Sequence, residues 1–383
     1  MGTTGINEHL LVTSAGAGPS NNLIRSLKTG DPSLYIVGCH TDRFVLKKSP
    51  ADRNYLVPTA RRKGEAALNP AFRDAIHQIV NNDHIDLLVP GHERDVWDCA
   101  VLKSEGDIAC RLFLPNQDVI QRCQDKYELT TFLRKRGIPT PLTYPIESVS
   151  NQETTRQRVR EQVEAIFREL APASSPFWCR IRRGFGSRGA TKVRDPAQAC
   201  SWIMYWNEMR GVDVEEFTLA EYLPGKDYNV QGLWKKGTPV LLKMCERLSY
   251  FGGDTQPSGM SSTPALAKTV REPRALQICE DAIQALDAGA SGVFNFDLKE
   301  DASGVPCITE INAGRFAMIT NIYDLVGEHN MTISYVRLAL DKPLKIRQKY
   351  DIAEDYYLVR DLDTLPGVFH VDEFYKGIET LRN

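Results

Sequence analysis

The chain has 383 residues, 42% of them hydrophobic and 25% charged, which is typical of a globular protein with two or three domains. Its formal net charge of −2 gives no electrostatic reason to expect nucleic acid or a membrane surface as a partner. No apolar run approaches the roughly 18 residues of a membrane span, and the first ten residues lack a signal-peptide layout. They begin like a myristoylation site, but Ile6 stands where that site needs serine or threonine.

The nine cysteines stand singly, with no C-x-x-C pair and no clustered histidines nearby. This usage is typical of reduced thiols that serve as small core residues. A cysteine nucleophile stays open as an alternative. We therefore predict a cytoplasmic protein.

Strand-like and helix-like segments alternate in the first third of the chain. Apolar strands are predicted over 9–16, 33–42 and 85–91, with a short helix over 21–30. This alternation predicts a parallel sheet with crossover helices.

The turn after the first strand contains Gly16 and Gly18, but Asn21 stands where a dinucleotide-binding fingerprint has its third glycine. Asp42 lies at a suitable distance for a ribose contact. An NAD-dependent dehydrogenase is therefore one alternative. The other is a tight turn in a nucleotide-fold domain with a different ligand or none.

The middle of the chain contains a glycine-rich loop between two apolar strands, within 176–193. Two segments precede it: 124–143, a helix that ends at Gly137 and continues into a Pro-rich extended stretch, and an amphipathic helix over 151–170. A strand–turn–strand segment over 217–234 follows. Backbone N–H groups and arginines in such a loop suit phosphate oxygens. A plain mobile hairpin tip is the alternative.

The stretch 292–316 is typical of a hairpin, with strands over roughly 293–300 and 305–312 around a polar turn. Residues two apart on a strand share a face, so Glu310 and Asn312 project together. The hairpin therefore places a carboxylate and an amide side by side.

Asp297 lies on that face only in some registers of the hairpin. Pairing of Lys299 with Pro306, or a register an even number of residues away, brings its carboxylate beside the other two groups. Carboxylates that close are costly without a cation between them, and oxygen ligands indicate Mg²⁺ or Mn²⁺ rather than zinc. A solvent-facing polar strand is the alternative. The opposite face carries apolar side chains: Phe294, Phe296 and Leu298.

Taken in order, five of these segments resemble the ATP-grasp superfamily, most closely its carbamoyl-phosphate-synthetase-like and carboxylate–amine ligase branches, over about residues 8–345. The first two motifs are the helix "DKYELTTFLRKRGIPTP" and the glycine-rich loop "CRIRRGFGSRG". The third is the hinge "AEYLPGKDY", and the fourth is the acidic position near its end, Asp227. The fifth is the pair of strands in "FDLKEDASGVPCITEIN". The resemblance implies ATP and Mg²⁺ (or Mn²⁺) as cofactors, with metal ligands Asp297, Glu310 and Asn312. The nucleotide-binding positions that it implies are Lys126, Arg180, Gly184, Gly186, Ser187, Gly189, Glu221, Tyr222, Leu223 and Asp227.

Two positions depart from the family pattern. Arg315 stands one residue later than the family's usual arginine, which leaves its transfer as a reaction-site cation open. At position 295 the D-alanine–D-alanine ligases have arginine, whereas this chain has Asn295, the residue type found in the synthetase branch. Both are carried over as candidate catalytic residues.

The resemblance implies an α/β protein in which an N-terminal nucleotide-fold domain with a parallel sheet precedes a two-lobed α+β ATP-grasp domain. The expected bounds are 1–118 for the first domain, 119–345 for the second with a lid subdomain at about 142–220, and 346–383 for an extension packed on the body.

The implied reaction joins a small-molecule carboxylate to an amine through an acyl phosphate, with release of ADP and phosphate. The alternatives are phosphorylation of bicarbonate or carbamate, as in one half of a carbamoyl-phosphate synthetase, and an ATP-binding regulatory protein without turnover. The sequence leaves both substrates and the oligomeric state open, a homodimer included.

Overall fold

The structure is a computed structural model, and it describes residues 8–61, 67–106, 108–149, 155–170, 176–184, 186–261, 263–360 and 376–381. The sequence predictions for the first seven residues, for the start of the helix over 151–170 and for Phe185 fall outside these ranges. Among the described residues, no helix is long and apolar enough to cross a membrane.

A parallel five-stranded sheet forms the first part of the molecule, as the alternating pattern predicts. Its strand order is β15-β3-β2-β1-β4. The central residues of β1 and all of β4 are buried, as is typical of parallel strands whose sequences are short continuous apolar runs. The strands are β1 (His9–Val12), β2 (Tyr35–His40), β3 (Arg53–Leu56), β4 (Leu87–Val89) and β15 (Glu379–Thr380).

The second sheet is antiparallel and has four strands in the order β5-β8-β6-β7. It includes the two predicted strands that flank the glycine-rich loop. The strands are β5 (Thr143–Pro145), β6 (Phe177–Ile181), β7 (Thr191–Val193) and β8 (Phe217–Glu221).

The third sheet is antiparallel, with six strands in the order β13-β12-β9-β10-β11-β14. The predicted hairpin is confirmed as its first two strands. They are β9 (Asp227–Lys235), β10 (Thr238–Tyr250), β11 (Pro264–Thr269), β12 (Gly292–Glu300), β13 (Pro306–Ala313) and β14 (Tyr357–Val359).

Eleven helices are described, and several begin at residues whose side chains cap them. Asp125, for example, accepts hydrogen bonds from the first-turn amides of Tyr127 and Glu128. The helices are α1 (Gly18–Gly30), α2 (Arg43–Leu46), α3 (Pro70–Asn82), α4 (Glu93–Glu105), α5 (Gln117–Gln124), α6 (Lys126–Arg134), α7 (Thr155–Leu170), α8 (Pro196–Arg210), α9 (Pro273–Leu286), α10 (Thr320–Tyr323) and α11 (Met331–Ala339).

The C-terminal segment contacts two sheets rather than one. Strand β14 pairs with β11 at the edge of the six-stranded sheet, as the prediction of an extension packed on the body implies. Strand β15 instead pairs with β3 in the parallel sheet. Only tertiary pairing shows this second contact, because residues 379–380 are too short a strand to carry a sequence signal.

The two residues that suggested a dinucleotide fingerprint have local structural roles. The Asn21 side-chain oxygen accepts a hydrogen bond from the Gly16 amide over 3.0 Å, which closes the turn after β1. The Asp42 side chain caps α2 by accepting from the Phe44 and Val45 amides. Both side chains therefore satisfy backbone donors of the chain itself.

Candidate functional site

Residues from all three sheets line one cleft of about 410 Å³, a volume typical of small-molecule sites. The parallel sheet contributes loops that follow β1 and β4, the four-stranded sheet contributes β6 and β8, and the six-stranded sheet contributes β9, β10, β12 and β13. Every sequence-predicted site residue except Gly189 lines this cleft.

A β-bulge decides how the hairpin presents its acidic side chains. Near the turn Lys299 pairs with Cys307, a register that would put Asp297 on the face opposite Glu310. One extra residue in β13, Thr309, shifts the register, so that Asp297 pairs directly with Glu310. The bulge thus brings the side chains of Asp297 and Glu310 onto the same face of the hairpin.

Beyond the bulge, the amide side chains join the two carboxylates. Asn295 pairs with Asn312 across the same two strands. The apolar side chains of β12 point the other way, as predicted, and are fully buried in the core: Phe294, Phe296 and Leu298.

Asp297 is held on one side only. Its Oδ1 accepts hydrogen bonds from Nη1 of Arg247 over 2.8 Å and from the Asn229 amide over 3.1 Å. Both donors use the same oxygen, Oδ1. Such support from neighbouring donors orients a carboxylate that ligates a metal.

Two cations flank the acidic face. Lys126, at the start of α6, places Nζ 3.6 Å from Oε2 of Glu310 and donates a hydrogen bond over 2.6 Å to the Gly184 carbonyl. Arg180 donates from Nη2 over 3.1 Å to the carbonyl of Thr309, the bulge residue, whereas its buried Nε has no partner.

Burial lowers the pKa of Arg180, and the carboxylates of Glu310 and Asp297 oppose that shift. The ordinary pKa of arginine is so high that the guanidinium stays charged at neutral pH. Arg180 lines the cleft, and its unsatisfied Nε is a buried donor of a kind that suits an anionic oxygen.

The donor set fits a hard divalent cation. Within the described part of the chain, no group of three or more His, Cys, Asp and Glu side chains is arranged to hold a metal ion. Two carboxylates and an amide would therefore share the ion with oxygens from a ligand or from water, which is how Mg²⁺ is usually bound. Asp297, Glu310 and Asn312 would be those protein ligands.

Part of the cleft wall is apolar. The wall includes the segment Glu221 to Leu223 at the end of β8. The Glu221 side chain accepts a hydrogen bond from the Leu142 amide over 3.3 Å. The other apolar lining residues there are Trp178, Ile181, Ala220 and Leu298.

Asp227 lies in the cleft with its carboxylate already bonded to the protein. Nε of Arg247 donates to it over 2.7 Å, the Tyr250 hydroxyl donates to its other oxygen, and Lys299 lies 3.7 Å away. A ligand hydroxyl would therefore share this carboxylate with Arg247 and Tyr250 rather than bind an isolated acid.

The glycine loop, Gly184 to Gly189, is tethered at both ends. Lys126 bonds the Gly184 carbonyl, and the Trp202 indole of α8 donates to the Gly189 carbonyl over 2.9 Å. Gly184, Gly186 and Gly189 all have positive φ, a conformation that L residues with side chains rarely adopt. Gly186 and Ser187 face the cleft, whereas Gly189 packs on Ile181.

The two candidate catalytic residues lie beside the acidic face. Arg315 donates from Nη2 to Oδ1 of Asn312 over 2.5 Å, although it stands one position later than expected, and its buried Nε has no partner. Asn295 accepts a hydrogen bond from the Asn229 side chain over 3.2 Å. Arg315 therefore contacts one residue of the acidic face, Asn312, and Asn295 shares the donor Asn229 with Asp297.

Sequence reasoning missed two groups of cleft residues. His92, Glu93 and Arg94 line it from the N-terminal end of α4, and Arg247 lines it from β10. A polar triplet two residues after a buried parallel strand is a signal for the first group, because ligands bind beyond the carboxyl ends of such strands. Arg247 lies in a strand of alternating polarity and gave no comparable signal.

Comparison with known proteins identifies the family. A family profile described as the ATP-grasp domain matches residues 123–317, just over half of the chain. A comparison with curated proteins found no match.

Solved structures share the fold at low sequence identity. An L-amino acid ligase from Bacillus licheniformis has a TM-score of 0.63 at 13% identity, covering 89% of this chain and 76% of its own. A biotin carboxylase–β,γ-ATP complex from Campylobacter jejuni has a TM-score of 0.63 at 14% identity, covering 91% and 74%. A carboxyaminoimidazole ribonucleotide synthase from Aspergillus clavatus, complexed with ATP, has a TM-score of 0.62 at 14% identity, covering 90% and 80%.

The matched region of the profile contains every predicted nucleotide and metal position, and the structural likeness extends over the parallel sheet that precedes it. The chain therefore belongs to the ATP-grasp family.

Proposed function

We propose that the protein is an ATP-dependent ligase that joins a carboxylate to an amine through an acyl phosphate and releases ADP and phosphate. The observation that carries the proposal is the face formed by Asp297, Glu310 and Asn312, with Lys126 and Arg180 beside it. The fold shared with an enzyme named L-amino acid ligase supports the same class of reaction.

In this proposal, the apolar part of the cleft holds the base of the nucleotide and the charged part holds its phosphates. The segment Glu221 to Leu223 and the apolar wall would hold the base, and Asp227 would accept a ribose hydroxyl. Lys126 and Arg180 would bind phosphate oxygens as charge-assisted donors. The glycine loop would close over the phosphates and exclude water.

A bound Mg²⁺ would supply charge neutralisation for the phosphates and would be held by Asp297, Glu310 and Asn312. Arg180 and Lys126 keep fixed positive charge where negative charge develops, at no cost of reorganisation. Arg315 would orient the carboxylate that attacks the γ-phosphate. The amine then forms the C–N bond as phosphate leaves.

We also propose the domain division given by the sequence: 1–118, 119–345 with a lid subdomain at about 142–220, and 346–383. The four-stranded sheet lies within the proposed lid subdomain, apart from the last residue of β8. A homodimer, small-molecule substrates and a cytoplasmic location are part of the same proposal.

The test is a screen of carboxylates with MgATP, using hydroxylamine to trap acyl phosphates and a coupled assay for ADP. A carboxylate-dependent hydroxamate with matching ADP release is the expected result. Bicarbonate belongs in the screen, because ADP release with bicarbonate alone would favour the carbamoyl-phosphate-synthetase-like alternative. Tight ATP binding without turnover on any acid would favour the regulatory alternative.

A further inference from the structure

We propose that the carboxylate substrate is an α-amino acid, bound as a zwitterion with its ammonium group on Glu93 and its carboxylate on Arg315. The inference rests on the proposed function and names the class of its first substrate. It draws on the position of the start of α4, on two unsatisfied buried atoms and on the charges that line this end of the cleft.

The position of Glu93 follows from the topology of the parallel sheet. The chain runs from β1 outward through β2 and β3 on one side, and β4 returns to pair with β1 on the other. The strand order therefore reverses between β1 and β4, and a crevice opens at the carboxyl ends of these two strands. Pro19, after β1, and Glu93, after β4, both line the cleft there.

Glu93 has a carboxylate oxygen that the protein leaves unsatisfied. Its Oε2 is buried and has no hydrogen-bond partner among the described residues. Burial raises the pKa of Glu93, and the nearby charge of Glu310 raises it further, while Arg315 and Lys126 oppose the shift. A buried acceptor without a donor is costly, so a ligand that donates hydrogen bonds and carries positive charge is favoured at this oxygen.

Arg315 has a buried hydrogen-bond donor without an acceptor, the counterpart of the unsatisfied acceptor of Glu93. One nitrogen, Nη2, donates to Asn312, while its buried Nε has no partner. A guanidinium with a free donor edge suits a carboxylate. Because Asn312 belongs to the proposed metal set, a carboxylate on Arg315 lies next to the phosphate end of the nucleotide, where its oxygen must attack.

The local charges match a zwitterion. Nζ of Lys126 lies 3.6 Å from Oε2 of Glu310, so these two charges offset one another. Glu93 and Arg315 add one charge of each sign to a cleft whose lining also includes Arg94, Arg180 and Asp297. His92 adds none at neutral pH, because burial, with Arg315 next, lowers its pKa to about 4. Its Nδ1 accepts from the Arg94 amide, so the neutral ring carries its proton on Nε2 and is a donor there.

The experiment compares each of the twenty standard amino acids with the acid that lacks its α-amino group, such as alanine with propionate and glutamate with glutarate. Hydroxylamine serves as the nucleophile, so the natural amine substrate is not needed. The wild-type protein should form hydroxamate from at least one amino acid and prefer it to its partner acid at least tenfold in kcat/KM.

The variant Glu93→Gln keeps the shape of the side chain and removes its charge. Loss of one charged hydrogen bond corresponds to a rise of about 10- to 100-fold in the KM for the amino acid, with the KM for ATP unchanged. Glu105→Gln is the matched control, since Glu105 ends the same helix and pairs with Arg73 on the surface over 2.6 Å. A merely structural role of Glu93 would not change the preference for amino acids over their partner acids.

Three results would overturn the inference. One is wild-type hydroxamate from simple carboxylates with no preference for an α-amino group. Another is an unchanged preference in Glu93→Gln. The third is a Glu93→Gln variant that needs more Mg²⁺ but keeps its amino-acid KM, since Glu93 and Glu310 would then share a metal ion.

The proposed function fails separately if no acid in the screen gives hydroxamate or ADP. Equilibrium dialysis of the radiolabelled amino acids with a non-hydrolysable MgATP analogue then decides the inference without turnover. Binding that Glu93→Gln weakens at least tenfold would support the subsite, and binding of no amino acid would overturn it.

Discussion

Arg247 donates a hydrogen bond from Nη1 to Oδ1 of Asp297 over 2.8 Å, and its Nε donates to Asp227 over 2.7 Å. One guanidinium thus joins the proposed metal ligand on β12 to the proposed ribose acceptor on β9. Burial alone would lower the pKa of Arg247, but Asp227 and then Asp297 raise it well above its ordinary value. All three side chains are largely buried, so their charges depend on one another.

We expect Arg247→Met to reduce the free energy of unfolding by about 3–5 kcal/mol, because it leaves two buried carboxylates without their cation. Lys268→Met is the control on the neighbouring strand β11, where the partner, Asp355, is 79% exposed, and it should change stability far less. Urea denaturation followed by circular dichroism measures both. Equal losses in the two variants would contradict the coupling.

Glu310→Ala should reduce ADP release by at least about 10²–10³-fold while the protein stays folded, because Glu310 faces both Asp297 and Lys126 in the proposed metal site. Glu246→Ala is the matched control, since Glu246 is an acid of the same sheet outside the cleft. Steady-state ADP assays over a range of Mg²⁺ concentrations check the prediction. Near-wild-type turnover by folded Glu310→Ala would remove the metal assignment.

Charge-removing changes at Lys126 and Arg180 should each weaken MgATP binding, because both side chains hold positive charge in the cleft. Asp227→Ala should weaken it by about 0.5–1.5 kcal/mol through the lost ribose hydrogen bond. Isothermal titration calorimetry with a non-hydrolysable analogue measures all three. Unchanged affinity throughout would refute the nucleotide site, and tight NAD binding without ATP binding would revive the dehydrogenase alternative.

The glycine loop should gain protection from hydrogen exchange when nucleotide binds. Three glycines make the free loop costly to order, and phosphate oxygens would order it by accepting from its N–H groups. We expect fast exchange at 183–190 in the free protein and clear protection with Mg²⁺ and a non-hydrolysable ATP analogue. A solvated hairpin tip predicts equal exchange in both states. Trp202→Phe removes the donor to Gly189 and should speed exchange in the free protein.

His92 should make the protein less stable in mild acid. Its pKa is lowered to about 4 in the folded protein by burial and then by Arg315, Arg94 and His40, against an ordinary value of 6.5. Below pH 6.5 the unfolded chain therefore binds a proton that the folded protein does not, and stability falls as the pH decreases toward 4. His92→Asn should flatten the unfolding free energy between pH 6.5 and 4, measured by denaturation at each pH. An unchanged pH profile would contradict the shift.

The fold class and most elements are predictable from local pattern. Three predicted features are present where the sequence indicates them. They are the buried apolar runs of β1 and β4, the strands β6 and β7 on either side of the glycine loop, and the hairpin β12–β13. Periodicity and turn residues determine these elements because they act over a few neighbouring positions. The predicted parallel strands are longer than the observed ones, because the predicted ranges include polar and turn residues beside the apolar runs, such as Thr13, Ser14 and Thr41.

The register of the hairpin β12–β13, unlike the presence of its two strands, could not be predicted from local pattern. Asp297 faces Glu310 only because Thr309 bulges, and the Thr309 carbonyl accepts from Arg180 of another sheet. The sequence restricts the register to two classes, one with the carboxylates together and one with them apart. Choosing between them needed the pairing of the whole sheet.

The sequence by itself determined the parallel sheet, the glycine loop and the order of the motifs, because each is written in residues close along the chain. The tertiary structure alone decided that Arg247 pairs with Asp227 and Asp297, and that Glu93 and Arg315 line the same cleft. These side chains are separated by up to 222 positions in the sequence. Electrostatic pairing depends on distance in space, and only the packed sheets bring such distant residues within a few ångströms.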